Sequence, residues 1–145
     1  MKFWHAIIPI CVLLLYLVFG IGRLSRGEFR PDTSAIQSIK TIHIAEVQYS
    51  SMYDRYATSL AELGPPSSGS SSASAADIIN AELARGRQPG YKFILSGNGA
   101  GYQITAVPME TGRRSFYSDQ TMIIRENSGP EPATANSREL GSVRR

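Results

Sequence analysis

The side chains able to do chemistry are few and widely separated in this 145-residue chain. Its two histidines, His5 and His43, lie in different stretches, so no imidazole pair on one element has a metal-site spacing. The single cysteine, Cys11, sits among leucines and isoleucines. It can build neither a disulfide framework nor a thiolate metal site, and reads as a small hydrophobe. Asp119, with Tyr117 and Thr121 beside it, could be imagined as a site, but no nearby histidine or cysteine offers a base or nucleophile. The run SGNGAG, Ser96–Gly101, has the glycines of a phosphate loop without the GK[ST] ending or the following helix, and is better explained as a hairpin turn. No serine lies in a G-x-S-x-G setting, and the carboxylates form no obvious acid/base pair. The expectation is therefore a non-enzyme with no catalytic, cofactor-binding or metal-binding residues, no cofactor and no small-molecule substrate.

The elements that would have to position such groups begin with a greasy run. FWHAIIPICVLLLYLVFGIG, Phe3 to Gly22, contains no Asp, Glu, Lys or Arg. As a helix it would span roughly 30 Å, the thickness of a bilayer's hydrocarbon core. Phe3, Trp4, Ile10, Leu13, Leu14, Leu15, Leu17 and Phe19 are the expected membrane-anchor residues, with Trp4 placed for the interfacial belt. The alternative is a cleaved signal peptide, with Lys2 before the apolar run and Gly20 and Gly22 after it; the length of the run favours a retained anchor over 1–22. Lys2 on one side competes with Arg23, Arg26 and Arg30 on the other for the cytoplasmic face. The expected placement is a single pass through the inner (cytoplasmic) membrane with the C-terminal domain exported. Net charge is +3. With the arginines dispersed and no basic run, no nucleic-acid partner is expected.

Residues 23–33, RLSRGEFRPDT, read as a charged hinge, with Pro31, Asp32 and Thr33 marking a helix start. From Ala35 the apolar period is helical: Ile39, Ile42, Ala45, Tyr49, Met52, Tyr53 and Tyr56 form one broad stripe, suited to lie under a sheet. Ile36, Ile44 and Val47 fall on the opposite side, a second apolar strip expected to meet either more of the same fold or a neighbouring subunit, for which they are the candidate contact face. The helix reads to Tyr53; YATSLAELG adds a short turn stopped by Gly64 and Pro65. The Ser/Gly/Ala segment 65–76 is predicted to be a flexible loop, and ADIINAELARG a second helix. The period then changes to two. Tyr91–Leu95 and Tyr102–Val107 alternate across the Ser96–Gly101 turn as an antiparallel hairpin, and RRSFYSDQTMIIR carries a third strand or strand pair. The polar residues 127–145 are predicted to be a disordered tail. Together these readings give an α+β class: an N-terminal transmembrane helix, then a domain over 34–126 in which a long amphipathic helix packs against a small antiparallel sheet.

Three stretches add a resemblance. AIQSIKTIHIAEVQYSSMYDRYATSLAELG, LARGRQPGYKF and GYQITAVPMETGRRSFYSDQTMIIR resemble the helix, first-strand and strand-core segments of type IV pilins and type II secretion pseudopilins, over Ala35 to Arg125. The resemblance implies a pilin-like fold and a non-enzymatic structural or interaction role in such assemblies. It also implies protein partners or self-association through the N-terminal helix. The rival reading is a membrane-tethered binding module that does not polymerise. Two departures stand out. No glycine precedes Phe3 and no glutamate follows inside the apolar run, so the prepilin processing motif is absent. Met122 stands where the family has a turn glycine, which predicts another conformation for that turn.

Overall fold

The computed structural model describes residues 30–142, so the expected anchor residues Phe3 to Phe19 lie outside it. Its long helix, α1, is Pro31–Tyr53. Pro31 suits a first helical position because it has no N–H to leave unpaired, and Asp32 puts a carboxylate in the positive first turn. The last three residues assigned to the hinge are thus helical. The chain leaves α1 through Asp54, at φ 55° with its N–H bonded to Ser50 O at 2.9 Å.

Two single-turn helices follow, α2 (Leu60–Leu63) and α3 (Ala81–Ala84). The expected longer helix from Ala76 is corrected here. Asp77 takes φ 57°, and the N–H groups of Ile78 and Ile79 both go to Leu63 O instead of to a helical ladder. Only at Asn80, whose side chain accepts from Leu83 N–H, does a helical turn begin. The Ser/Gly segment is tied down near its end: Tyr49 OH lies 2.5 Å from Ala73 O, and Ala76 N–H donates to Glu62 O.

Six strands form one antiparallel sheet in sequence order: β1 Arg87–Gln88, β2 Tyr91–Gly97, β3 Tyr102–Pro108, β4 Ser115–Asp119, β5 Arg125–Asn127 and β6 Arg138–Glu139. The hairpin of β2 and β3 runs from Tyr91↔Pro108 to Gly97↔Tyr102. Its glycine-rich turn is closed by Asn98, whose side-chain oxygen accepts from the N–H groups of Ala100 and Gly101. Alternation puts Tyr91, Phe93, Leu95, Tyr102, Ile104, Ala106 and Phe116 on one buried face. Ala35, Ile39, Ile42, Ala45 and Tyr49 of α1 complete the core beneath them.

The expected architecture needs correction. An N-terminal transmembrane helix leading to a small sheet is not what the described residues show. They show one long helix, two single turns and a six-stranded antiparallel sheet, and no helix among them is long and apolar enough to cross a membrane. Polar residues along α1, among them Asp32, Lys40 and His43, account for the latter. The tail is corrected too. β6 pairs with β5, and Ala133 is buried with its N–H donating to Ser115 Oγ at 2.8 Å. Polar composition hid this order because it rests on charge: buried Glu126 accepts from Arg114, itself bonded to Asp32 of α1, and from Arg138 of β6.

Candidate functional site

Buried polar side chains interrupt the apolar stripe of α1. His43 and Glu46 sit one helical turn apart, 5% and 0% exposed, among Ile39, Ile42 and Tyr49. The imidazole joins three elements. His43 Nδ1 is 2.7 Å from Tyr102 OH at the start of β3, and Nε2 is 2.8 Å from Ser118 Oγ in β4. Ser118 donates its only proton to Ile123 O at 2.9 Å. Nε2 must therefore be the donor to Ser118, which leaves Nδ1 to accept from Tyr102. The chain of bonds runs one way, from Tyr102 through the neutral ring and Ser118 to the β4–β5 turn. Burial holds the His43 pKa below its ordinary value, against the pull of Asp119.

This arrangement superficially offers a serine beside a histidine. However, Ser118 is fully enclosed, its proton is committed to a backbone carbonyl, and the ring's second nitrogen faces a phenol instead of a carboxylate. Its effect is to fix the ends of β3 and β4 to the helix.

Glu46 is in a different state. Its Oε2 accepts from Ala57 N–H at 2.8 Å, while Oε1 is buried with no partner. Burial, with the charge of Glu62 adding to it, outweighs the Ala57 bond and the attraction of Arg55, and raises its pKa to about 7. Glu62, by contrast, collects bonds from Thr58, Tyr49 and Arg55. Burial pushes its carboxyl up, but those donors prevail and hold it below the usual range.

On the outward side of the same strand ends lies a concave surface of about 600 Å³, lined by Ser96, Asn98, Gln103, Tyr117, Asp119 and Gln120 together with Gly97, Ala100 and Gly101. The register sets Gln103 opposite Asp119. Asp119 Oδ1 accepts from both the N–H and the hydroxyl of Thr121. Burial raises the Asp119 pKa, yet the Thr121 bonds, the Tyr117 hydroxyl and the Arg125 charge bring it below the usual range. The sequence cluster Tyr117–Asp119–Thr121 is thus a real constellation, whereas His43 lies on the inner face and bonds Tyr102 and Ser118 instead.

Met122 adopts φ 61°, the left-handed conformation that glycine takes easily, with its N–H on Asp119 O at 2.8 Å.

The predicted contact residues separate. Ile44 is 69% and Val47 48% exposed, with Met52 at 49% further along α1. Ile36 is half-buried and packs on the core, so the structure does not join it to that outward face. Among the described residues, no group of three or more His, Cys, Asp or Glu side chains could hold a metal ion. Sequence reasoning missed the Tyr102–His43–Ser118 chain. The available signal was that His43 and Glu46 occupy inward positions of the helical period. Comparison of the chain with protein-family models, curated proteins and solved structures gives no match.

Proposed function

We propose that this protein is a non-enzymatic interaction component of pilin-like type, acting at a membrane to which the apolar sequence Phe3–Gly22 holds it, and associating with further copies of itself through α1. The observation that carries the reading is the exposure of Ile44 and Val47 on a helix whose other side is sealed by the sheet. They lie three residues apart, on one line of the helix surface. Branched aliphatic side chains so placed favour burial against a neighbour, at about 25 cal/mol for each Å² covered. The enclosed, fully bonded state of Ser118 and His43 supports a structural role for that pair over a hydrolytic one.

The test is the mass of the detergent-solubilised full chain in sedimentation equilibrium, for wild type and for Ile44→Asp with Val47→Asp. Wild type is expected to associate, and the double variant to run as a monomer with an unchanged circular dichroism spectrum. A wild-type chain that stays monomeric at high concentration removes the basis of the reading. The rival, a monomeric tethered binding module, would then be favoured.

A further inference from the structure

We propose that the concave surface between the β2–β3 turn and the β4–β5 turn is a binding site for a neutral saccharide. It is a separate property from self-association through α1 and does not depend on it.

The size falls within the range of small-ligand clefts, roughly 300–1,000 Å³. Its chemistry narrows the ligand. No lysine or arginine lines it; Arg125, whose charge acts on Asp119, is bonded to Glu139 and Ser137 O, and Arg55, beside the β2–β3 turn, is paired with Glu62. A phosphate or carboxylate would meet the Asp119 carboxylate with no cation in the lining to bond it. The Ala100 methyl is the one aliphatic side chain in the lining, too little apolar surface for a lipid or apolar ligand.

What remains is a surface that asks for hydroxyl groups. Tyr117 OH is 3.5 Å from Gln103 Oε1 and 3.5 Å from Asp119 Oδ2. Both separations exceed the normal range for O–H···O bonds, about 2.5–3.0 Å. One donor thus faces two acceptors without a good bond to either. A hydroxyl set among them would accept from Tyr117 and donate to Asp119 or Gln103, and charge-assisted bonds to a carboxylate are the stronger kind. The amide of Gln120 and the hydroxyl of Ser96 extend the polar rim, and the Tyr117 ring, on the outward face of β4, offers an apolar surface to a sugar's C–H groups.

The site is also held in place. A side chain at Gly97 would meet Ala57 O at 2.7 Å, so the strand end sits close against the chain beneath it. Behind the rim, His43 fixes Tyr102 and Ser118, the inward neighbours of Gln103 and of Tyr117 and Asp119. Polar groups set this firmly lose little freedom on binding.

The experiment is a glycan array probed with the labelled full chain, followed by calorimetric titration of the best-retained saccharide, with inorganic phosphate and spermidine as controls. Neutral saccharides are expected to be retained. Tyr117→Ala and Gln103→Ala are expected to weaken binding by about tenfold or more, each retaining a cooperative melt. Gln103 is exposed, so its variant keeps the test valid should Tyr117→Ala fail to fold. Ile44→Asp should bind as wild type does. The inference is overturned if no neutral saccharide is retained, if both variants bind like wild type, or if spermidine alone binds in a variant-sensitive way.

Discussion

Glu46 gives the fold a pH dependence that one atom's replacement should abolish. Its carboxyl is enclosed, bonded at one oxygen to Ala57 N–H and at the other to nothing. Its pKa rises from the ordinary 4.5 to about 7 in the folded chain. A raised carboxyl contributes stability that is fully present below 4.5 and is lost as pH climbs through about 7. The loss amounts to roughly 3 kcal/mol, at about 1.4 kcal/mol per pKa unit. The facing charges on the neighbouring segment are Glu62, which worsens ionisation, and Arg55, which eases it. His43 acts oppositely: its pKa is lowered, so its contribution is present above 6.5 and lost as pH falls below that. Glu46→Gln keeps the acceptor for Ala57 and cannot ionise. Chemical denaturation across pH 4.5 to 9 should show the two proteins closely matched near pH 5. At pH 8.5 the variant should be more stable by about 3 kcal/mol, or on the order of 10 °C in Tm. Identical pH profiles would refute the argument, because they would mean the Glu46 carboxyl reaches water in the folded state.

Other perturbations probe the same framework. His43→Leu should cost about 1–3 kcal/mol in urea unfolding by stranding the Tyr102 hydroxyl, and adding Tyr102→Phe should recover part of the loss. Met122→Gly should melt at the same temperature as wild type or higher by up to about 1 kcal/mol in stability, because a left-handed backbone costs a side chain about 1–2 kcal/mol and glycine nothing steric. Gly86→Ala should destabilise by at least about 2 kcal/mol in the same melt. Its φ is 72°, and the new methyl would stand 2.4 Å from Phe93 O.

Much of the framework could be read from periodicity. Ile39, Ile42, Ala45 and Tyr49 are buried where a 3.6-residue repeat places them, and Tyr91 to Val107 alternates as a two-residue repeat requires. Met52 broke the pattern: it is exposed, while Tyr53 beside it packs on the core. The segment from Ala76 looked helical by composition, but two N–H groups diverted to Leu63 O override its propensity. The order of the tail was invisible because charge complementarity between Glu126 and Arg138 leaves no periodic trace. The candidate site was half legible. Tyr117, Asp119 and Thr121 are sequence neighbours, whereas His43 is 75 positions from Ser118. Only the packing of α1 against β3 and β4 brings those two together.

The most direct test of the central claim, that the outward face of α1 joins copies of this chain, places a photo-crosslinking residue at Ile44 in the full chain. Homodimeric adducts at position 44, and none from a probe at Lys92 in β2, are the expected result. Equal labelling at both positions, or none at position 44, would contradict it.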